Sequence, residues 1–167
     1  MNYVLEVNEQ DEIIGRQEKL YAHQKGILHR AFSIFTFNSK GELLLQQRAN
    51  EKYHCGGLWT NTCCSHPVSE NDTITDAHKR LQQEMGFDCE LSFIEKFLYK
   101  AELDNGLIEH ELDYIYNGYY DGLVDFNPAE VQATRYISWS DLQTELKERP
   151  EQFTPWLKLI CEAVKVV

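Results

Sequence analysis

The segment Trp59-Thr60-Asn61-Thr62-Cys63-Cys64-Ser65-His66-Pro67 places a thiol and an imidazole two residues apart, just before a polar stretch with helical character. If residues 58–66 are extended, side chains alternate between two faces, so Cys64 and His66 share one face and Cys63 takes the other. A thiolate is a base and nucleophile, and an imidazole is a common metal ligand. The shared face is therefore a candidate for reactive chemistry, and the plainer alternative is a buried cysteine pair beside a capping histidine.

Length and composition predict one ordered globular domain over residues 1–167. The chain is long enough to bury a core, and 43% hydrophobic with 26% charged residues is typical of a folded protein. The sequence has no apolar run near the ~20 residues that span a bilayer. The first ten residues carry two acids and no basic residue, unlike a secretory signal. We therefore expect a cytoplasmic protein.

The charge balance limits the kinds of partner. With 27 acids against 16 lysines and arginines, the net charge is −11. Binding to nucleic acid or to an anionic membrane needs clustered cations, so we expect neither partner. A small anion remains possible wherever the few basic residues converge.

The chain has five cysteines, an odd number, and no export signal, which indicates reduced thiols.

Alternating apolar residues and turn signals predict a β-rich chain. The expected strands are 3–7, 13–17, 29–37, 43–48, 91–103, 107–120 and 130–139. Two antiparallel hairpins are expected, 29–37 with 43–48 and 91–103 with 107–120, the second joined by Asp104-Asn105-Gly106. Residues 18–26 are consistent with either a loop or a short helical turn.

Three helices are predicted from capping signals. The first covers residues 73–85 and is closed by Gly86. The second has capping-box spacing from Ser140 and extends to residue 148, and the third opens at Thr154-Pro155 and continues to about residue 166. This order of elements predicts an α+β fold, with mixed β-sheets and helices packed outside.

A pair of acids marks the strand after the second hairpin turn. On a strand, Glu109 and Glu111 share one face and His110 points to the other. Two adjacent carboxylates are costly unless a cation or a shared proton compensates, although a solvated edge strand is the plainer alternative. Loop histidines are by themselves usually solvated. Taken together, three histidines and the two glutamates form a mixed nitrogen and oxygen ligand set that suits Mn²⁺, Zn²⁺ or Mg²⁺. The set consists of His23, His29, His66, Glu109 and Glu111.

Basic residues gather near the central segment. Arg80 and Glu84 are four apart on the predicted helix, which fits a surface pair worth a few tenths of a kcal/mol. Alternatively Arg80 contacts a phosphate and Glu84 holds a Mg²⁺ that bridges phosphates. Arg48 and Lys52 precede the central segment, and Lys19 could join them.

A longer pattern resembles the Nudix box, G-x5-E-x7-R-E-U-x-E-E-x-G-U. In this chain it is Ser65-x5-Asn71-x7-Lys79-Arg80-Leu81-x-Gln83-Glu84-x-Gly86-Phe87. Ser65, Asn71, Lys79, Arg80 and Gln83 depart from the pattern. Nudix hydrolases use the glutamates of the box to hold metals and activate water. Because Glu84 alone remains of that cluster, the resemblance argues against phosphate hydrolysis.

The wider sequence resembles one Nudix branch, the type 1 isopentenyl-diphosphate delta-isomerases, from about Val4 to the last helix. The segments that carry the resemblance are Tyr21-Ala22-His23, His29-Arg30-Ala31-Phe32-Ser33, Gln47-Arg48-Ala49 with Lys52, the central segment, Glu109-x-Glu111 and Phe153-Thr154-Pro155-Trp156. Their order and joint presence are specific to that branch.

The resemblance implies an isomerase of isoprenoid biosynthesis that interconverts isopentenyl and dimethylallyl diphosphates. The alkene is protonated to a tertiary carbocation, which loses a proton from the neighbouring carbon. Acid and base must face a flat five-carbon unit from opposite sides in a dry pocket. By similarity, Cys64 acts on one face, Glu111 with Tyr99 acts on the other, and Trp156 stabilises the cation.

The same resemblance implies two cation sites and a diphosphate grip. The expected ligands of one divalent ion (Mn²⁺, Zn²⁺ or Mg²⁺) are His23, His29, His66, Glu109 and Glu111. A Mg²⁺ would bridge the diphosphate and Glu84. The expected diphosphate contacts are Lys19, Arg48, Lys52 and Arg80. Cys63 and His110 are expected to be structural, and the protein to be a monomer or weak dimer.

Two other functions remain open from the sequence. A Nudix diphosphate hydrolase would release phosphate or a nucleotide monophosphate. A non-catalytic metal- or diphosphate-binding module would keep the ligands and tolerate the loss of Cys64.

Overall fold

The computed structural model describes residues 2–167, which contain nine strands and four α-helices joined by loops and short 3₁₀ turns. The strands are β1 (Tyr3–Val7), β2 (Ile13–Glu18), β3 (His29–Phe37), β4 (Leu43–Arg48), β5 (Trp59–Thr60), β6 (Cys63–Ser65), β7 (Leu91–Glu102), β8 (Ile108–Tyr119) and β9 (Val131–Ile137). The helices are α1 (Lys19–Lys25), α2 (Thr73–Met85), α3 (Trp139–Glu148) and α4 (Pro155–Ala163). Within this range no helix is long and apolar enough to cross a bilayer.

Strand β3 is the centre of the mixed sheet. It pairs in parallel with β8, from His29 opposite Glu111 to Phe37 opposite Tyr119, and antiparallel with β6, where Ser33 lies opposite Cys64. Strand β7 then pairs antiparallel with β8. Every residue of β3 is buried, as expected for a strand covered on both faces. The register brings residues from distant parts of the chain to one end of the sheet.

Helices cover both faces of the sheet, which confirms the predicted α+β class. On one face, α2 packs its apolar stripe against alternate residues of β3 and β4: Ala77, Leu81 and Met85 with Phe32, Ile34 and Leu44. On the other face, α3 and α4 pack against the intervening residues: Leu142, Leu157 and Ile160 with Phe35, Phe37 and Leu43. Each strand therefore contributes to two cores, one above and one below the sheet.

The predicted helix α2 and its terminus are confirmed. The carboxylate of Asp72 accepts a hydrogen bond from the Thr75 amide, which caps the first turn. Gly86 ends the helix with a φ of 75°. A Cβ at this position would lie 1.9 Å from the backbone oxygen of Asp125, so glycine is required by both conformation and space.

Residues 58–66 do not form the single extended segment on which the alternation of faces was considered. They form two short strands, β5 and β6, separated by Asn61 and Thr62. The Asn61 amide donates to the backbone oxygens of Ile34 and Cys63, and the Thr62 hydroxyl donates to that of Leu44. These side-chain hydrogen bonds replace part of the sheet ladder and allow the chain to bend between two neighbouring strands.

Other boundaries also differ from the prediction. Strands β3 and β4 share a single residue pair, Phe37 with Leu43, and then diverge, because β6 and β8 pair with β3 while β9 pairs with β4. Of the two alternatives for residues 18–26, the helical turn is confirmed, because α1 spans Lys19–Lys25 and is capped by Glu18. Helix α3 is capped by Ser138, not Ser140, and α4 ends at Ala163 instead of residue 166.

Candidate active site

A cleft opens beside the β5–β6 segment. Its lining comprises Lys19, Arg48, Lys52, His54, Cys64, Ser65, His66, Arg80, Glu109, Glu111 and Trp156. Most of the candidate residues from the sequence therefore meet in one place, although they come from six different helices and strands and from two loops.

The mouth of the cleft is positively charged. Four cations line both the cleft and a larger outer basin that adjoins it: Lys19, Arg48, Lys52 and Arg80. Burial and the nearby charges of Lys52 and Arg48 lower the pKa of Lys19, as expected where cations are crowded. Glu130 compensates part of this charge, because it forms ion pairs with Lys52 and with Arg80. The remaining positive charge suits a polyanion.

Two carboxylates lie deeper in the cleft on β8. Tyr99 donates hydrogen bonds to Glu111 Oε1 at 2.7 Å and to Glu109 Oε1 at 3.2 Å, which confirms that the two acids share a face. The Nε2 atoms of His29 and His66 lie 3.0 and 2.8 Å from Glu111 Oε2. Tyr99, Glu111 and His29 are neighbours across three strands in register.

The histidine rings are oriented by backbone groups. Nδ1 of His23 lies 2.7 Å from the Lys19 oxygen, and Nδ1 of His29 lies 2.8 Å from the Ile27 oxygen. Each ring therefore turns Nε2 toward the carboxylates, as in metal-ligating histidines. Burial lowers the pKa of His23, and that of His66 to about 3, so both rings are neutral near pH 7. Neutral imidazoles are the form that binds metal.

The donor set fits a divalent cation. One ligand atom each from His23, His29, His66 and Glu111 lie within 4.8 Å of one another. Two buried atoms of the cluster, Nε2 of His23 and Oε2 of Glu109, have no hydrogen-bond partner within residues 2–167. Unpaired buried polar atoms are costly, and coordination to a cation would satisfy both.

The two carboxylates have opposite shifts in pKa. Burial and the adjacent Glu111 raise the pKa of Glu109. Burial alone would also raise the pKa of Glu111, but hydrogen bonds from His29 and His66 outweigh it and lower the value. Glu111 is therefore the ionised member of the pair.

The thiol of Cys64 is held by a buried amide. Its Sγ donates to Asn61 Oδ1 at 3.0 Å, and it lies 3.7 Å from the Ser33 hydroxyl, which donates to Asp113 Oδ2 at 2.7 Å. Burial, and then the carboxylate of Asp113, raises the pKa of Cys64 to about 12. Cys64 is therefore a neutral thiol near pH 7 and carries a proton.

Trp156 forms an apolar wall of the cleft from the first turn of α4. The Thr154 amide donates to the backbone oxygen of Trp59 at 2.9 Å, and the Thr154 hydroxyl donates to the hydroxyl oxygen of Thr60, also at 2.9 Å. These two hydrogen bonds hold the start of the helix beside the central segment. The indole is buried, with 2% exposure, and the Arg48 guanidinium lies 5.4 Å from a ring centroid. The ring thus already contacts one cation.

Arg80 and Glu84 form a partly buried pair that reaches the cleft through Arg80. Arg80 Nε lies 3.0 Å from Glu84 Oε2, and Gln46 donates to Glu84 Oε1 at 2.7 Å. Because Glu84 is 3% exposed, the alternative of a solvated surface pair is wrong.

The two residues expected to be structural lie outside the lining of the cleft. Cys63 is fully buried, and His110 Nδ1 lies 3.0 Å from the Gly26 oxygen.

Four residues of the site were not predicted from the sequence: His54, Asn61, Asp113 and Glu130. Asn61 lies within the central segment, and Asp113 continues the alternation of Glu109 and Glu111 along β8, so a search of the same strand face would have found it. His54 and Glu130 are on loops or strand ends, and their positions follow from tertiary packing.

Comparison with known proteins identifies the family. The NUDIX domain family matches residues 27–157, which is most of the chain. An isopentenyl-diphosphate Delta-isomerase of Pectobacterium atrosepticum is 49% identical over 156 residues, covering 93% of this chain and 87% of the relative. The chain belongs to the isopentenyl-diphosphate Delta-isomerase family, within the Nudix domain family.

A second member of the isomerase family and two solved structures agree. Isopentenyl-diphosphate Delta-isomerase 2 of Aromatoleum aromaticum is 44% identical over 161 residues, covering 96% of this chain and 85% of the relative. A crystal structure of a Deinococcus radiodurans protein superimposes with a TM-score of 0.77 at 16% identity, covering 96% of this chain and 98% of the other. A MutT protein from Methanosarcina mazei gives a TM-score of 0.61 at 15% identity, with 81% and 91% coverage. At these identities the two structures establish the fold alone.

Proposed function

We propose that this protein interconverts isopentenyl diphosphate and dimethylallyl diphosphate. The observation that carries the proposal is the convergence of Cys64, Glu111 and Trp156 on one cleft whose mouth holds the four cations. An isomerase of this kind needs a proton donor, a proton acceptor and a cation-stabilising wall beside an anchored diphosphate. The relatives named isopentenyl-diphosphate Delta-isomerase support the same assignment.

The diphosphate end of the substrate would be held at the mouth. Lys19, Arg48, Lys52 and Arg80 supply charge-assisted hydrogen bonds to phosphate oxygens. The five-carbon end then extends inward toward Trp156. Anchoring one end fixes the position of the alkene relative to Cys64 and Glu111, so proton transfer occurs within a bound complex instead of by collision.

The proton transfers would involve Cys64 and Glu111 on opposite sides of the alkene. Cys64 carries a proton on sulfur, and Glu111 is ionised and hydrogen-bonded to the Tyr99 hydroxyl. One proton is added to the terminal carbon of the double bond, and another is lost from the carbon next to the cationic centre. The charge on the tertiary carbon would lie against the face of Trp156, a contact worth about 2 kcal/mol when desolvated.

The cluster of His23, His29, His66, Glu109 and Glu111 would hold a divalent cation of the Mn²⁺, Zn²⁺ or Mg²⁺ class. Such a cation would tune the acidity of Glu111 and keep its carboxyl group oriented. We also propose that Glu84 contributes to a Mg²⁺ at the diphosphate, beside Arg80. The orphaned buried atoms of His23 and Glu109 support the first site.

A product assay separates the proposed function from its alternatives. The protein is incubated with isopentenyl diphosphate and Mg²⁺ in D₂O, and the five-carbon products and phosphate are followed by NMR. Dimethylallyl diphosphate containing deuterium is the expected product. Inorganic phosphate would instead indicate a hydrolase, and unchanged substrate would indicate a binding module. Hydrolysis is disfavoured because Arg80 occupies a box position and pairs with Glu84, the glutamate that remains.

A further inference from the structure

His54 lies on the loop between β4 and β5 and projects into the cleft. His54 is 5% exposed, and its Nε2 atom lies 3.7 Å from Glu109 Oε2. The ring centroid is 5.4 Å from that of His23. His54, His23 and Glu109 form a second group of potential ligand atoms within 4.8 Å of one another, and His23 is common to both groups.

We propose that His54 is a ligand of the divalent cation held by His23 and Glu109, so that this centre has four imidazoles. The inference rests on the metal centre of the proposed function and extends its ligand set. It places His54 in the site as a metal-binding residue, in addition to the three histidines on α1, β3 and the segment after β6.

The distances within this group favour coordination over hydrogen bonding. Nε2 of His23 and Nε2 of His54 each lie 3.7 Å from the same oxygen of Glu109, beyond hydrogen-bond range. Ligands bound at about 2.0–2.2 Å to one ion are separated by about 3–3.5 Å, close to the observed spacing.

The polar atoms of the group lack partners. Nε2 of His23, Oε2 of Glu109 and Nδ1 of His54 are all buried without a hydrogen bond to any of residues 2–167. Two of these atoms face the space between the three side chains. A buried carboxylate oxygen that two imidazoles approach without bonding is explained by a cation between them, which would satisfy Nε2 of His23 and Oε2 of Glu109.

The backbone holds His54 in this position. The Arg48 guanidinium donates to the His54 oxygen at 3.2 Å, and Cys55, the next residue, has a φ of 53° in the left-handed region. A bulky residue in that conformation is strained unless its surroundings fix it.

The additional imidazole affects which ion is preferred. Imidazole nitrogen suits Zn²⁺ and Co²⁺, whereas Mg²⁺ prefers oxygen ligands. A centre with four imidazoles should therefore bind Zn²⁺ and Co²⁺ far more tightly than Mg²⁺. Loss of His54 should reduce that preference.

Metal binding by full-length variants tests the inference without an activity assay. The apoprotein of the wild type, His54→Ala and His54→Gln is titrated with Zn²⁺ against a chromophoric chelator, and the visible spectrum of the Co²⁺ form is recorded. We expect both variants to bind Zn²⁺ at least about tenfold more weakly and to have altered Co²⁺ bands. His78→Ala is the control, because His78 lies on α2 and pairs with Asp88.

A cysteine substitution gives a positive signal. In His54→Cys, a sulfur at this position should produce a sulfur-to-cobalt charge-transfer band in the near ultraviolet that the wild type lacks. Thermal melting with chelator present establishes whether each variant is folded. If His54→Ala does not fold, a folded His54→Gln or His54→Cys variant is enough for the test.

The outcomes distinguish this inference from the proposed function. If the wild type binds metal while the folded His54 variants keep its affinity and Co²⁺ spectrum, the role of His54 is wrong and the five-ligand centre stands. If the wild type binds none of these ions, the inference fails together with the metal centre. Isomerase activity is measured separately on the wild type and tests the proposed function itself.

Discussion

Cys64 donates a hydrogen bond from Sγ to Oδ1 of Asn61 at 3.0 Å. The amide of Asn61 cannot rotate freely, because its Nδ2 donates to the backbone oxygens of Ile34 and Cys63. The Thr60 hydroxyl also donates to Oδ1, at 2.9 Å. Asn61 therefore presents an acceptor to the thiol and fixes both the rotamer of Cys64 and the direction of its proton.

Removal of this acceptor should impair catalysis more than substrate binding. In Asn61→Ala the thiol loses its fixed orientation, and we expect kcat to fall by about 10- to 100-fold with KM nearly unchanged. The unfolding free energy should also fall by about 1–3 kcal/mol, since two buried backbone oxygens lose their donor. Steady-state kinetics and urea unfolding measure the two effects. A normal kcat in folded Asn61→Ala would assign Asn61 a purely structural role.

The two proposed proton-transfer groups should both be essential. Cys64→Ala removes the thiol, and Glu111→Gln removes the ionisable carboxyl group while it keeps the shape of the side chain. We expect turnover to be lost in each variant, with circular dichroism like that of the wild type. Cys89→Ala is the control for loss of a thiol, because Cys89 is packed near Phe87 in the other core. Activity close to wild type in either variant would remove that residue from the mechanism.

Lys52 should contribute mainly to substrate affinity. It lies at the mouth of the cleft and pairs with Glu130, so Lys52→Ala removes one phosphate contact and leaves a carboxylate nearby. We expect KM to rise about tenfold and kcat to change little. Stability should be almost unaffected, since a partly exposed ion pair is worth about 0–1 kcal/mol. Lys100→Ala, an exposed lysine on β7, is the matched control. An unchanged KM would contradict the diphosphate role.

Local signals explain which parts of the fold were predictable. Helix α2 has an apolar stripe and a closing glycine within its own sequence, and both boundaries agree with the structure. The shared face of Glu109 and Glu111 follows from the alternation of a strand and required no knowledge of neighbours.

Features that depend on distant partners were not predictable. The break at Asn61 results from hydrogen bonds to β3 and β4, which are far away in sequence. Glu130 reaches Lys52 and Arg80 because β9 pairs with β4, a pairing that has no local pattern. The predicted cap of α3 was Ser140, but β9 ends at Ile137 and Ser138 caps the helix.

Asp11, at the β1–β2 turn, should make the stability of the fold depend on pH. Asp11 has a φ of 64° and accepts hydrogen bonds from Arg30 and Tyr114, with Lys96 at 2.8 Å. Burial would raise the pKa of Asp11, but the hydrogen bonds from these three residues outweigh it and lower the pKa. The ionised form thus stabilises the folded state above the ordinary aspartate pKa of about 3.9.

This stabilisation should be lost as the pH falls through the lowered pKa of Asp11. We expect Asp11→Asn to be less stable than the wild type by about 1–3 kcal/mol at pH 7. The difference should shrink in acid, where the wild-type carboxyl group is protonated as well. Urea unfolding of both proteins at neutral and acidic pH measures it. A difference that is constant with pH would show that the charge of Asp11 does not contribute.

In the proposed mechanism, Cys64 and Glu111 act on the same five-carbon unit from opposite sides. A crystal structure with a diphosphate ester that ends in a tertiary ammonium group, a mimic of the carbocation, would show whether they do. We predict that the ammonium end lies against Trp156, with the Cys64 sulfur and the Glu111 carboxyl group each in contact with the alkyl unit on opposite faces. An alkyl unit bound away from either group, or both groups on one face, would contradict the mechanism.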